Sequence, residues 1–566
     1  MSSASFSKVG VVGLGTMGAG IAEVLARGGL AVVGIEVDQG ALERGRGHLE
    51  GSTGRAVKRG RLTEEARHGI LDRIALSTDF ADLGECDLVI EAVPERLDLK
   101  RRVFAELDKV CRADAVLATN TSSLSVTDIA VTTGRPTKIV GVHFFNPAPV
   151  MKLVEVIGTV LTEPAAAARV AELVRGLGKT PVSIGDRAGF VANRLLFGYL
   201  NQAARMLDSG HATRDDIDTA MKAGAGLPMG PFALMDLIGL DTCLEVLEAV
   251  YAESRDRRHA PAPVLRELVT AGLLGRKTGQ GFHRYDRQAG DAVSAQAEET
   301  TAAEPPTVGV VAGSSAASPA AGIIATLARA GGTVRYAAGD QSAADGLRAA
   351  LGQALADDPA ARSRLGGGTD LGALADCDLI IHAGADGDAA ADRSLLASLG
   401  RVARPDAVLA TTSATVPVIE AAVATGRPGA VVGLHFPEAD GTLVEIATTV
   451  AGAPGLADRA AALAERLGLT PVHGRDRAGF IVDALRFPYL NDAAAMLGAG
   501  YADADAIDAA MTLGCGYPAG PIAELDRIGP ARVVAVLRAL YGESREPALA
   551  PAPLLTEHVT AGRALR

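Results

Sequence analysis

The sequence has no tryptophan, only 4% aromatic residues, and no lysine beyond Lys277. Ala and Gly are abundant in their place, a pattern of coding bias rather than of chemistry. The five cysteines (Cys86, Cys111, Cys243, Cys377, Cys515) are scattered, with no CxxC pair and no His/Cys spacing suited to a metal. No metal site is therefore expected, and a reducing, cytoplasmic compartment fits best. No apolar run approaches membrane-spanning length, and the first residues lack the pattern of a signal peptide. The formal net charge of −12 gives no electrostatic support for a nucleic-acid partner.

What is present is a repeat. Leu117–Phe144 reads LATNTSSLSVTDIAVTTGRPTKIVGVHF, and Leu409–Phe436 reads LATTSATVPVIEAAVATGRPGAVVGLHF. Arg187-Ala188-Gly189-Phe190 recurs as Arg477-Ala478-Gly479-Phe480, and Pro228, Gly230 and Pro231 recur as Pro518, Gly520 and Pro521. The 566 residues are thus a tandem duplication of a module of about 280, itself large enough for two domains. The expected division is 1–186 and 307–476 for two α/β units, 187–285 and 477–566 for two helical units, and 286–306 for an exposed linker.

In copy one, Lys8–Val12 is a short apolar strand running into Gly13-Leu14-Gly15-Thr16-Met17-Gly18 and then an amphipathic helix. A GxGxxG set between strand and helix lets the backbone approach a pyrophosphate, which the free N–H groups of the helix start then hold. The next strand ends at Glu36, where a carboxylate hydrogen-bonds a ribose diol and repels a 2′-phosphate, favouring NAD over NADP. Asp38 is the rival acid. The helix over 42–61 carries several arginines, either a solvated face or a seat for a polyanion such as the phosphates of coenzyme A. Glu95 and Lys100 follow another apolar strand and are either nicotinamide-side contacts or solvated charges. Asn120-Thr121-Ser122-Ser123 closes a further strand. Its hydroxyls suit a helix cap, a substrate contact, or both.

His143 comes just after the strand-like run 138–142, and Glu155 follows twelve residues later, a pairing in which the carboxylate fixes the tautomer of a proton-moving imidazole. Asn193 lies among apolar neighbours on a predicted helix and needs a partner, structural or substrate.

These segments carry a specific resemblance. VGLGTMGAGIAEVLA, DLVIEAVPE, ATNTSSL, HFFNPAPVMKLVEV, GDRAGFVANRLL and RKTGQGFHRY make copy one similar to the L-3-hydroxyacyl-CoA dehydrogenases, most of all the bacterial 3-hydroxybutyryl-CoA enzymes. The resemblance implies a Rossmann-like NAD domain, a helical dimerisation domain and an acyl-CoA substrate between them. It places the catalytic pair on His143 and Glu155, substrate contacts on Ser122 and Asn193, and coenzyme A contacts on Ser52 and Arg59. Cofactor contacts fall on Gly13, Gly15, Thr16, Met17, Gly18, Glu36, Glu95, Lys100 and Asn120.

Copy two departs from this pattern. Val311–Pro319 has no GxGxxG, no ribose acid is recognisable in 334–338, and Ser122, Asn120 and Asn193 align with Ala414, Thr412 and Asp483. His435 and Glu445 remain, ten residues apart rather than twelve. The expectation is an NAD-dependent oxidation of a short 3-hydroxyacyl-CoA, or its reverse, in fatty acid metabolism. Copy two is expected to be a silent partner docked on copy one as an internal pseudo-dimer, with further homo-oligomerisation open. The alternatives are the same chemistry on another acyl-CoA, such as a 3-hydroxyadipyl thioester, or a non-catalytic acyl-CoA-binding scaffold.

Overall fold

The computed structural model describes residues 6–285, 305–312, 317–384, 389–438 and 441–566. Most of the expected linker, and the centre of the segment that replaces the glycine turn in copy two, lie outside the described residues.

The apolar runs of copy one form strands, the central ones buried on both faces, as a parallel sheet between helical layers requires. They are β1 (Lys8–Val12), β2 (Ala31–Ile35), β3 (Ile74–Ser77), β4 (Leu88–Glu91), β5 (Val116–Thr119), β6 (Ile139–Phe144), β7 (Leu153–Gly158) and β8 (Thr180–Gly185). The sheet order is β3-β2-β1-β4-β5-β6-β7-β8. Order reverses between β1 and β4, so the crevice for a ligand opens at the carboxyl ends of those strands. Every pairing is parallel except β6 with β7.

Copy two repeats the sheet as β9 (Thr307–Ala312), β10 (Thr333–Ala338), β11 (Leu365–Gly368), β12 (Leu379–Ala383), β13 (Val408–Thr411), β14 (Val431–His435), β15 (Leu443–Thr448) and β16 (Thr470–Arg475). Its order, β11-β10-β9-β12-β13-β14-β15-β16, is that of copy one, again with one antiparallel pair, β14 with β15. Each sheet leads into a helical unit opened by a long helix, Ala192–Asp208 or Val482–Gly498. Among the described residues no helix is long and apolar enough to cross a membrane.

The core explains how the four units are joined. Two apolar clusters each lie against one face of one sheet. The remaining cluster is continuous: it takes the other face of both sheets and the interiors of both helical units. The long helices pack on each other, with the rings of Tyr199 and Tyr489 edge to face at 6.4 Å. Arg258 forms an ion pair with Asp492 beside them. Each helical unit also meets the other copy's sheet. Ala212 bridges Gly474 in a short antiparallel contact, and the Arg475 N–H donates to the His211 carbonyl at 2.9 Å. Asp216 accepts the His473 N–H at 3.0 Å. In the reverse direction, the Tyr501 hydroxyl donates to the Gly185 carbonyl at 3.0 Å.

Candidate active site

A cavity of about 880 Å³ opens at the carboxyl ends of β1, β2, β4 and β5. The glycine turn forms one wall. Gly13 holds a φ of +87°, and a Cβ there would meet the Ala92 carbonyl at 2.9 Å. A Cβ on Gly18 would fall 1.7 Å from the Gly13 carbonyl oxygen, so only glycine lets helix Thr16–Arg27 sit this close to the turn. Gly15 is different: no heavy atom lies within 4 Å of its Cβ direction, and that space belongs to the cavity. Thr16 and Met17 line it at the helix start. The geometry matches a phosphate cradle of backbone N–H groups.

Glu36 lines the same cavity and accepts the Leu14 N–H at 2.6 Å through one oxygen. Its rival Asp38 is engaged as the N-cap of helix Gln39–Lys58, accepting the Ala41 N–H at 2.7 Å. Arg44 and His48 of that helix join Glu36 in the cavity wall. Ser52 and Arg59 do not line it. They follow Gly45 at successive seven-residue steps, nearly two turns each, Ser52 within the helix and Arg59 as its C-cap.

Beneath the cavity is a charged cluster that local sequence pattern does not reveal. Lys100 is fully buried; its ammonium donates to Glu91 at 2.8 and 3.1 Å and to the Asn120 carbonyl at 3.0 Å. Lys100 thus ties the ends of β4 and β5 together from below and has no surface in the cavity. Glu95 stands nearer the opening and accepts from the Thr121 hydroxyl at 2.6 Å, the Ser122 N–H at 2.9 Å and the Ser123 N–H at 3.2 Å. Burial raises the Glu91 carboxyl above the usual range despite Lys100. For Glu95 burial pushes the same way, but Lys100 and the three hydrogen-bond donors outweigh it and hold the carboxyl below that range. Asn120 lines the cavity, and its side-chain oxygen accepts the Phe144 N–H at 3.1 Å, fixing β6 against β5.

The twelve-residue spacing of His143 and Glu155 has a direct geometric cause. β7 returns antiparallel to β6 in a register that sets the two residues directly opposite each other. His143 Nδ1 lies 2.7 Å from Glu155 Oε2. The second Glu155 oxygen accepts the Val191 and Ala192 N–H groups at 3.1 and 3.0 Å, at the start of helix Ala192–Asp208. His143 Nε2 lies 3.1 Å from Ser122 Oγ. Ser122 is not a helix cap; Ser125 caps the short helix Val126–Ala130. The rings of Phe145 and Phe190 pack against the imidazole at 4.5 and 5.8 Å. Gly189 and Phe190 both adopt positive φ, 75° and 48°, which turns the chain sharply ahead of the helix. Asn193, half-buried, lies in that helix's first turn. Its counterpart Asp483 faces His435 Nε2 at 3.4 Å, which marks the position as part of the same wall.

Copy two keeps the histidine–glutamate pair despite its ten-residue spacing. The hairpin loop is shorter, yet His435 still stands opposite Glu445, with Nδ1 to Oε2 at 2.5 Å and Glu445 held by the Ile481 and Val482 N–H groups. The surroundings have changed. Ala414 offers no hydroxyl. Asp483 takes the far side of the ring and pairs with Arg532 at 3.0 Å. Burial disfavours the imidazolium, but Asp483 and Glu445 overcome it and raise His435 to about 9. Where copy one has Asn146, Leu196 and Leu234, copy two has Glu438, Arg486 and Glu524, joined by ion pairs at 2.8 and 2.6 Å. The Glu91–Lys100 pair is replaced by His382 and Asp392 at 3.4 Å.

Comparison with known proteins agrees with the duplication. Residues 8–187 and 319–477 match the NAD binding domain of 3-hydroxyacyl-CoA dehydrogenase, and residues 189–285 and 479–566 match the C-terminal domain of the same family. A 3-hydroxybutyryl-CoA dehydrogenase of Mycobacterium tuberculosis is 45% identical over 283 residues, 50% of this chain and 99% of that protein. The mitochondrial hydroxyacyl-coenzyme A dehydrogenase of Homo sapiens is 42% identical over 285 residues, 49% of this chain and 90% of that one. The crystal structure of 3-hydroxybutyryl-CoA dehydrogenase from Escherichia coli K12 aligns over 99% of both chains, with a TM-score of 0.75 and 30% identity.

Proposed function

Because this chain belongs to the 3-hydroxyacyl-CoA dehydrogenase family and is an NAD-dependent oxidoreductase, we propose that copy one alone performs the reaction, on a short acyl chain such as the 3-hydroxybutyryl/acetoacetyl pair. The observation that carries this reading is the line Ser122–His143–Glu155 beside a glycine-loop cavity, at 3.1 and 2.7 Å. The relatives named for 3-hydroxybutyryl-CoA support the chain length.

The residues fit the cofactor: Gly15 leaves open space where a phosphate would sit, and Glu36 meets that space from β2. Gly13, Gly15, Thr16, Met17 and Gly18 would hold the pyrophosphate, Glu36 the ribose, and Glu95 with Asn120 the nicotinamide side. Lys100 would act from below, by fixing Glu91 and the Asn120 carbonyl. Ser52 and Arg59 would take the coenzyme A end along helix Gln39–Lys58. Bound NAD+ supplies the hydride acceptor for C3 of the substrate.

His143 does the proton work. With its Nδ1–H donated to Glu155, it presents the Nε2 lone pair to the substrate 3-hydroxyl and takes that proton as the C3–H bond breaks. Glu155, fixed by two backbone N–H groups, stabilises the imidazolium. Ser122 holds the reacting oxygen, and Asn193 holds an acyl oxygen so that C3 faces the cavity. Proton transfer of this kind contributes about 10²–10⁴-fold, and orientation supplies much of the remainder. Reduction of the 3-ketoacyl thioester runs the same steps backwards.

Copy two serves as an internal pseudo-dimer partner without chemistry of its own. Its histidine is flanked by two carboxylates and held as a cation, so it offers no lone pair. The test is acetoacetyl-CoA-dependent oxidation of NADH, followed by absorbance. His143→Asn abolishes turnover, and His435→Asn leaves it intact. Equal loss in both folded variants refutes the silent copy.

A further inference from the structure

We propose that copy two positions the catalytic histidine of copy one through Gly514, the last residue of the π-helical turn Ala510–Gly514. The proposal rests on the reading of His143 as the base and goes beyond it, because it places part of that site's framework in the other copy.

The contact is close and specific. A Cβ built on Gly514 would lie 2.6 Å from Leu153 Cδ2 and 3.3 and 3.4 Å from ring atoms of Phe145. Leu153 is fully buried and begins β7, two residues before Glu155. Phe145 packs its ring on His143 at 4.5 Å. Gly514 therefore touches both residues that flank the histidine–glutamate pair, one on the aromatic wall and one on the strand. Glycine is a poor residue for a helical turn, and its φ here is not one that requires it, so close approach is what explains it. Single-turn π segments often mark such functional irregularities.

The counterpart in copy one is an internal control. Gly224 ends the regular helix Arg214–Gly224 and sits as tightly against copy two, where its Cβ would meet Leu443 Cδ2 at 2.6 Å, Val482 Cγ2 at 2.8 Å and Pro437 Cγ at 3.3 Å. Here Pro437 takes the sequence position of Phe145, and the ring stacked on the histidine of the degenerate site is Phe480, at 4.8 Å, which is not among the nearest contacts of the glycine's Cβ. The two glycines make equivalent contacts, but only Gly514 borders a working site.

The experiment compares Gly514→Ala with Gly224→Ala in the full chain. Gly514→Ala is expected to lower kcat for acetoacetyl-CoA reduction roughly tenfold or more, as a small displacement of an oriented base does. It also moves the limb of the pH profile set by His143, and leaves the KM for NADH within about twofold of wild type because the cofactor cavity lies elsewhere. Gly224→Ala lowers the melting temperature as much or more, with kcat and pH profile kept. Adding Leu153→Val to Gly514→Ala removes the clashing methyl and restores kcat; it is also the variant to use if Gly514→Ala folds poorly. Three results overturn the proposal: wild-type kcat and pH profile in folded Gly514→Ala, the same loss of kcat in Gly224→Ala at a matched loss of stability, or no rescue by Leu153→Val. Should wild type fail to oxidise NADH with acetoacetyl-CoA, the reaction assignment fails separately. The imidazole titration of His143, followed by NMR, then decides the positioning claim: it shifts in Gly514→Ala and holds in Gly224→Ala, or the claim falls.

Discussion

Copy one and copy two share a sheet order, a buried cross-strand histidine–glutamate pair and a tight glycine at the seam, and differ in almost everything the histidine faces. In copy one the ring looks toward a serine hydroxyl. In copy two it looks toward a carboxylate, with ion pairs where copy one has leucines. The cross-strand histidine–glutamate pair and the tight seam glycine were retained through this divergence, while Ser122, Asn193 and the Glu91–Lys100 pair were not. A histidine–glutamate pair is thus a framework element first; under the proposed function, the serine hydroxyl beyond the ring and the cavity that serine lines are what make it chemistry.

The sharpest way to test that contrast is to alter both pairs alike. Glu155→Gln is expected to lower kcat by about 10²–10⁴-fold, whereas Glu445→Gln leaves steady-state turnover unchanged; a comparable fall in Glu445→Gln would erase the distinction between the copies. Next in size is the buried ionic network. Arg486→Leu removes the buried cation between Glu524 and Glu438, leaving them only the more exposed Arg527, and should cost up to about 3–5 kcal/mol in chemical unfolding. Transplanting all three residues of copy one, as Glu438→Asn, Arg486→Leu and Glu524→Leu together, should recover most of the loss. A triple variant no better than the single one would show that the network packs in a way leucines cannot replace.

A smaller effect concerns pH. His435 is raised from an ordinary 6.5 to about 9, so the folded state holds its proton more tightly than the unfolded chain. The stabilisation is complete below about pH 6.5 and is lost as pH rises through about 9, worth at most about 3 kcal/mol. His435→Gln should therefore narrow the gap between unfolding curves measured at pH 6 and pH 9.5; an unchanged gap would mean that the ring is neutral in the native protein. The smallest difference is a count. Calorimetric titration of the full chain with NADH should saturate at one site per chain, and a second site of similar affinity would restore a cofactor role to copy two.

Much of this architecture was legible in the residues themselves. Short apolar runs, a GxGxxG between strand and helix, and a repeated RAGF segment specify local structure, and the sheet follows. The twelve-residue step from His143 to Glu155 resolved into a cross-strand pair. The ten-residue step in copy two resolved into the same pair on a shorter loop, which spacing alone misrepresents as damage. Other features had no local signature. Glu95 is held by Thr121 and Ser122, 26 and 27 residues away, and Arg486 meets Glu438 across 48 residues. Lys100 reads as either a nicotinamide-side contact or a helix lysine facing water, yet lies fully buried under the cavity. Such partners are chosen by the strand order and by the packing of one unit on another, which no window along the chain contains.

The apolar cluster that runs through both helical units has a further consequence. Two separate subunits joined by such a core come apart on dilution, and their activity then depends on protein concentration. Here both halves belong to one polypeptide, so their meeting is an intramolecular event with a fixed ratio and no bimolecular dissociation constant. In a chain built in this way the contact between the two halves does not weaken on dilution. With copy two silent as proposed, the idle half is always supplied with its partner, and that guarantee would leave one site free to decay while the other turns over.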